Sequence, residues 1–176
     1  MKIGVFDSGL GRLLIARSII EIMPKYDYFY LGDTARVPYG TRSADIVFAF
    51  SREAVDYMFR KGCQLIVVAC NTASADALRR IQREYLPKKY PDRRVLGVLI
   101  PAAEAAAAAG NGPIGVLATQ ATVVSGAFIR EIVKLRPDVH VIQQAAPLLV
   151  PLIEMGGVKF ARPIVENYLT PSRGWN

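Results

Sequence analysis

Apolar and polar positions follow two rhythms along this chain. Short runs of β-forming residues, "KIGVF", "YDYFYL", "QLIVVAC", "RVLGVLI", "IGVLAT" and "VHVIQ", predict six strands. Between them apolar residues recur at helical spacing. Leu13, Leu14, Ile19, Ile20 and Met23 predict a helix stopped at Pro24. Ser43 is placed to cap a second helix, with Ile46, Val47, Phe50, Ala54, Val55, Tyr57 and Met58 on its inner face. Further helices are predicted from about Thr72 to Tyr85, through "PAAEAAAAAGNG" with Pro101 at its start and Gly110 at its end, through "VVSGAFIREIVKL", and near 161–169. The segments "GDTARVPYGTRS" and the stretch after Gln143 read as loops.

Strands alternating with helices predict an α/β fold with a largely parallel sheet, covered on both faces because the strands are nearly all apolar. "KIGVFDSG" and "PIGVLATQ" echo each other, an apolar strand followed by small polar residues, which suggests an internal duplication with halves meeting near 97–101. In such sheets ligands bind beyond the carboxyl ends of the strands. Those ends carry Asp7 and Ser8, the Asp33–Gly40 loop, Cys70, Asn71 and Thr72, and Thr119 to Thr122. Small hydrogen-bonding residues at each of these ends suit a small polar, anionic ligand.

Composition narrows the picture. Of 176 residues 52% are hydrophobic, enough for a sizeable core. No apolar run reaches membrane-spanning length, and "MKIGVFDSG" reads as a first strand rather than a signal peptide, so a cytoplasmic protein is expected. The net charge of +7 comes from Lys and Arg scattered over helical segments. No basic run is interleaved with aromatics, so no nucleic-acid partner is expected. Two cysteines and one histidine, His140, are too few for a Cys/His zinc site or a disulfide framework. Cys63 and Cys70 are separated by roughly 23 Å if the segment is extended, which argues against a disulfide or a shared site.

Cys70 ends a strand and precedes a helix, where backbone N–H groups favour a thiolate. A thiolate can attack a carbonyl, bind metal or act as a general base. With no further Cys or nearby His, general-base work is the most coherent of these, with Asp7 orienting the thiol. A buried, inert cysteine is the competing reading.

The segments "IGVFDSGLG", "YLGDTARVPYGTRS", "IVVACNTASA", "GVLATQATVVSGAF" and "APLLVPLIE", in this order from residue 3 to about 169, resemble the signature segments of glutamate racemase. The resemblance implies two similar α/β domains with the active site in the cleft between them, here 1–97 and an incomplete 98–176. It implies cofactor-independent interconversion of L- and D-glutamate for peptidoglycan synthesis, by two cysteines on opposite faces of the substrate α-carbon. Carried over motif by motif, Cys70 is the first catalytic cysteine, serving the D-glutamate face. Asp7 assists proton transfer, and Glu154 gives acid–base support. Asp7, Ser8, Tyr39, Gly40, Asn71, Thr72, Thr119 and Thr122 are the expected substrate contacts. Neither metal nor cofactor is implied. A homo-oligomer is left open, as is a contact with DNA gyrase that no feature here specifies.

The departures from the family pattern carry expectations of their own. Arg12 stands where the family has a glycine, Leu14 where it often has Thr, Ala146 in place of a cysteine and Met155 in place of an acidic residue. The family's second cysteine lies in a "GCTHYPL" segment that this sequence does not contain, and the tail from Thr170 to Asn176 is unlike the family. The expectation is therefore a C-terminally truncated racemase, inactive or impaired alone, with exposed apolar edges that favour self-association. Competing readings are a degenerate homologue with a binding or regulatory role, an unstable product of a disrupted gene, or an aspartate racemase. "DTARVPYGTRS" and "ACNTASA" favour glutamate over aspartate.

Overall fold

The computed structural model describes residues 1–9 and 13–170; Arg12 and the tail beyond Thr170 lie outside the described residues. Four short strands form one parallel sheet in the order β2-β1-β3-β4: β1 (Lys2–Asp7), β2 (Asp27–Gly32), β3 (Leu65–Val68) and β4 (Arg94–Gly97). The register pairs Val5 with Tyr30 and with Val67, which brings the carboxyl ends of β1 and β3 side by side. A second parallel pair consists of β5 (Ile114–Ala118) and β6 (Val141–Ala145).

Ten helices surround the strands among the described residues: α1 (Leu13–Ile22), α2 (Ala44–Arg60), α3 (Asn71–Asp76), α4 (Leu78–Arg80), α5 (Leu86–Lys89), α6 (Leu99–Ala108), α7 (Gln120–Ser125), α8 (Ala127–Leu135), α9 (Leu149–Glu154) and α10 (Ala161–Leu169). Ser43 caps α2 as expected, its Oγ accepting from the Ile46 N–H at 3.5 Å. The inner face of α2 is narrower than predicted. Val47, Ala54, Val55 and Met58 are buried, whereas Ile46 and Tyr57 are exposed.

Four other expectations need correction. The helix expected from Thr72 to Tyr85 is broken into α3, α4 and a π-helical segment at Ile81–Tyr85, running on into α5. Pro87 gives the physical reason: it has no N–H for the Arg83 carbonyl, and its ring crowds that turn. The strand expected over "RVLGVLI" ends at Gly97, and the chain enters α6 at Leu99, two residues before Pro101. An aliphatic run does not distinguish strand from helix, and the alanines that follow favour helix. "VVSGAFIREIVKL" holds two helices, divided where Gly126 adopts φ +62. Finally, the stretch after Gln143 is partly ordered: β6 extends to Ala145, and α9 and a 3-10 turn at Val158–Phe160 follow.

The main core gathers Phe6, Tyr39, Val47, Val55, Met58, Ile66, Ile81 and Val95 between the four-stranded sheet and α2. Each such side chain fully removed from water contributes about 1.5–3 kcal/mol. A second cluster, Ala75, Leu99, Ala103, Ala127, Phe128 and Ile132, packs α6 and α8 against the β5–β6 pair. Helix α3 belongs to both, Ala73 and the cap residue Cys70 in the first and Ala75 in the second. Its sequence "NTASAD" is small on every side, which lets both groups of elements approach its backbone. The two strands β5 and β6 are only half-buried, unlike β1. Large apolar side chains at Leu14, Ile22, Val124 and Met155 are exposed. No helix among the described residues is long and apolar enough to cross a membrane.

Candidate active site

The carboxyl ends of β1, β3 and β5 converge on one cavity of about 120 Å³. Asp7, Ser8, Val37, Tyr39, Gly40, Cys70, Thr72, Thr119, Val150, Ile153 and Glu154 line it, so a single site draws on the chain from residue 7 to residue 154.

Cys70 sits directly after β3 as the cap of α3, and only 4% of it is exposed. Two donors point at its sulfur: the Ser8 hydroxyl at 3.1 Å and the Ala73 backbone N–H at 3.4 Å. Donors aimed at sulfur suit an anionic sulfur better than a thiol held as packing. Asp7, 2% exposed, ends β1 beside it and accepts the Ser8 backbone N–H at 2.8 Å. That bond fixes the turn that carries the Ser8 hydroxyl to the thiol.

The opposite wall comes from the second group of elements. Glu154 ends α9 and reaches across to Gly9, where an added Cβ would lie 2.5 Å from its Oε1. Tyr30 reports on both carboxylates. Its phenol, which donates to the Gly9 carbonyl at 3.0 Å, is pushed up to about 12 by burial and by the nearby charges of Asp7 and Glu154. Thr72, Thr119 and Thr122 form a ring of hydroxyls, Thr72 to Thr119 at 3.0 Å, Thr119 to Thr122 at 3.0 Å and Thr122 to Thr72 at 3.5 Å. Thr119 also caps α7, so its side chain has a fixed direction.

Tyr39 is held rigidly. Its hydroxyl donates to Asp33 at 2.6 Å, and Asp33 in turn pairs with Arg36 at 2.7 Å. Burial, then the Asp33 carboxylate, raises the Tyr39 phenol, which therefore stays protonated. Asn71 and Thr122 do not line the Cys70 cavity but an adjoining one of about 220 Å³, which shares Thr72, Thr119, Val150 and Ile153 with it. The Asn71 Oδ1 is buried there with no hydrogen-bond partner among the described residues.

Sequence reasoning placed Asp33 and Val37 at the site only as part of the Asp33–Gly40 loop, without Val37 as a lining residue or Asp33 as the anchor of Tyr39, and missed Val150 and Ile153. Val150 and Ile153 had a readable signal, since positions i and i+3 beside Glu154 share one helix face. Cys63 and His140 lie elsewhere. Cys63 is wholly buried beneath Gly4, and burial raises its thiol. His140 is exposed just before β6. Among the described residues no three His, Cys, Asp or Glu side chains gather into a metal-binding group.

No protein-family profile matches the chain. Individual proteins do. A glutamate racemase from Aquifex aeolicus is 45% identical over 99% of this chain, which spans 66% of that relative's length. Among solved structures, glutamate racemase from Campylobacter jejuni superposes with a TM-score of 0.86 at 34% identity, over 97% of this chain and 68% of that one. A Francisella tularensis glutamate racemase in complex with D-glutamate gives a TM-score of 0.87 at 32% identity, over 99% and 65%. Identity at this level over nearly every residue, with the same backbone course, goes beyond a shared architecture: the chain belongs to the glutamate racemase family.

Proposed function

We propose that the chain carries the Cys70 half of a glutamate racemase site, with the cleft between residues 1–97 and 98–176 as the binding place. The observation that carries this reading is the Cys70 sulfur, held by Ser8 at 3.1 Å in a cavity walled by Asp7, Thr72, Thr119 and Glu154. Inversion at an α-carbon needs a base on one face and an acid on the other. The Cys70 thiolate takes the α-proton of D-glutamate. The electron pair left at the carbon delocalises into the substrate carboxylate. Asp7 and Ser8 orient the sulfur, and Glu154 supports proton transfer from the opposite wall. Hydroxyl and backbone groups at Ser8, Gly40, Thr72 and Thr119 receive the polar ends of the substrate, Asn71 and Thr122 support this wall from the adjoining cavity, and Tyr39 forms a fixed floor. In the cell this activity supplies D-glutamate for peptidoglycan.

The same reading sets a limit on this chain. The only other thiol in the sequence, Cys63, is buried away from the cavity. The opposite face therefore has no cysteine donor from these 176 residues. The expected result is that this chain exchanges the α-proton of D-glutamate with solvent but does not invert it at a rate typical of the family. Circular dichroism of a glutamate solution and NMR in deuterated water measure the two separately. Family-like racemisation would overturn the half-site. Absence of exchange, or equal exchange of both enantiomers, would overturn Cys70 as a one-sided base. A non-catalytic homologue that binds glutamate is the reading left if binding persists without exchange.

A further inference from the structure

Gly40 is buried in the 3-10 turn Tyr39–Thr41, on the first wall of the cleft, and Thr119 stands opposite it at the cap of α7. A Cβ built at Gly40 would lie 2.6 Å from both Cβ and Cγ2 of Thr119 and 3.1 Å from its Oγ1. Real Cβ atoms do not approach so closely, and Thr119 cannot swing aside. Its Oγ1 accepts from the Thr122 N–H at 3.3 Å and bonds Thr72 at 3.0 Å, and its Cβ is fixed to the backbone. The parallel contact of Gly9 with Glu154 is softer, because it meets the tip of a flexible side chain.

We propose that Gly40 is a positioning residue whose missing side chain sets the separation of the two cleft walls, so that any β-carbon there wedges the cleft open over Cys70. The physical basis is steric. The Thr72–Thr119 bond spans the walls at normal length only while position 40 is empty beyond Cα. A methyl group forces the Thr119 wall outward, breaks that bond and admits solvent to a sulfur that is now 4% exposed. This concerns the shape of the cleft and stands whether or not the chain acts on glutamate.

The two cysteines supply the test. Cys70 lies in the cleft, and Cys63, with no exposure, lies in the core as a control for unfolding. Alkylation by iodoacetamide, read site by site by mass spectrometry, is compared in the wild-type chain, Gly40→Ala, Thr119→Gly and the double variant. Gly40→Ala is expected to raise the Cys70 rate about tenfold with Cys63 unmodified, as local opening without global unfolding requires. In the Thr119→Gly background, where the obstructing atoms are gone, Gly40→Ala is expected to change nothing further. The proposal is overturned if Gly40→Ala leaves the Cys70 rate unchanged, if its effect persists undiminished without the Thr119 side chain, or if Cys63 becomes modified in step with Cys70.

Discussion

Single residues in this chain are held by unusually concentrated sets of partners, and Asp56 is the clearest case. Its carboxylate accepts from the Tyr85 hydroxyl at 2.6 Å, Lys89 Nζ at 2.6 Å and the Tyr90 hydroxyl at 2.8 Å, and it pairs with Arg60. Burial alone would raise this carboxyl; Lys89, the two tyrosines and Arg60 outweigh it and hold the group well below the usual carboxylate range. A folded value below the unfolded one means that the folded state binds fewer protons. The stabilisation is therefore complete above about pH 4 and is lost as pH falls further. Asp56→Asn is expected to cost about 2 kcal/mol at pH 7 and to flatten the acid limb of stability below pH 4. Urea unfolding from pH 7 to pH 2.5 measures both. Equal acid sensitivity in the variant would remove Asp56 as its source.

At the scale of elements, the junction of α7 and α8 shows how one backbone angle divides a helical pattern. Gly126 adopts φ +62, its N–H donates to the Val123 carbonyl at 3.0 Å, and α8 starts at the next residue. Phe128 and Ile132 then face the core beside Leu99 and Ala103, while Thr122 turns toward the hydroxyl ring. An alanine at position 126 meets the steric cost of the left-handed region, about 1 kcal/mol. Gly126→Ala should lower stability by that amount in urea unfolding. A neutral or stabilising result would show that the turn does not need glycine. The helical period of "VVSGAFIREIVKL" was legible because its apolar spacing is regular on both sides of the break. The break was not, since glycine inside a helical pattern reads equally as tolerated or as a terminus.

Across the whole molecule, the two groups of elements meet at several places, among them the packing of Ala75 in the second cluster, the hydroxyl ring, the contacts of Gly40 with Thr119 and of Gly9 with Glu154, and an ion pair between Arg79 on α4 and Glu131 on α8. Glu131, whose side chain is 11% exposed, also accepts from Lys134 at 2.9 Å. Arg79→Ala therefore leaves that carboxylate one partner and is expected to cost about 1 kcal/mol, or about 2–4 °C in melting temperature. The difference should shrink in molar salt, because Arg79 is partly exposed and screened. Melting curves at low and high salt check this. No salt dependence would mean that the pair acts through packing instead.

The sequence by itself determined the α/β class, the parallel strands, the family resemblance and the residues at the strand ends, because hydrophobic period and short motifs are local properties of the chain. It grouped Cys70, Asp7, Ser8, Tyr39, Gly40, Thr72, Thr119 and Glu154, with Asn71 and Thr122, as one expected site, through their strand-end positions and the resemblance. Only the tertiary structure decided that the first eight line one cavity while Asn71 and Thr122 line its neighbour. The distance between the walls depends on contacts between residues as far apart as 40 and 119, or 9 and 154. No local pattern encodes such distances, because they are set by where one packed group stops against another.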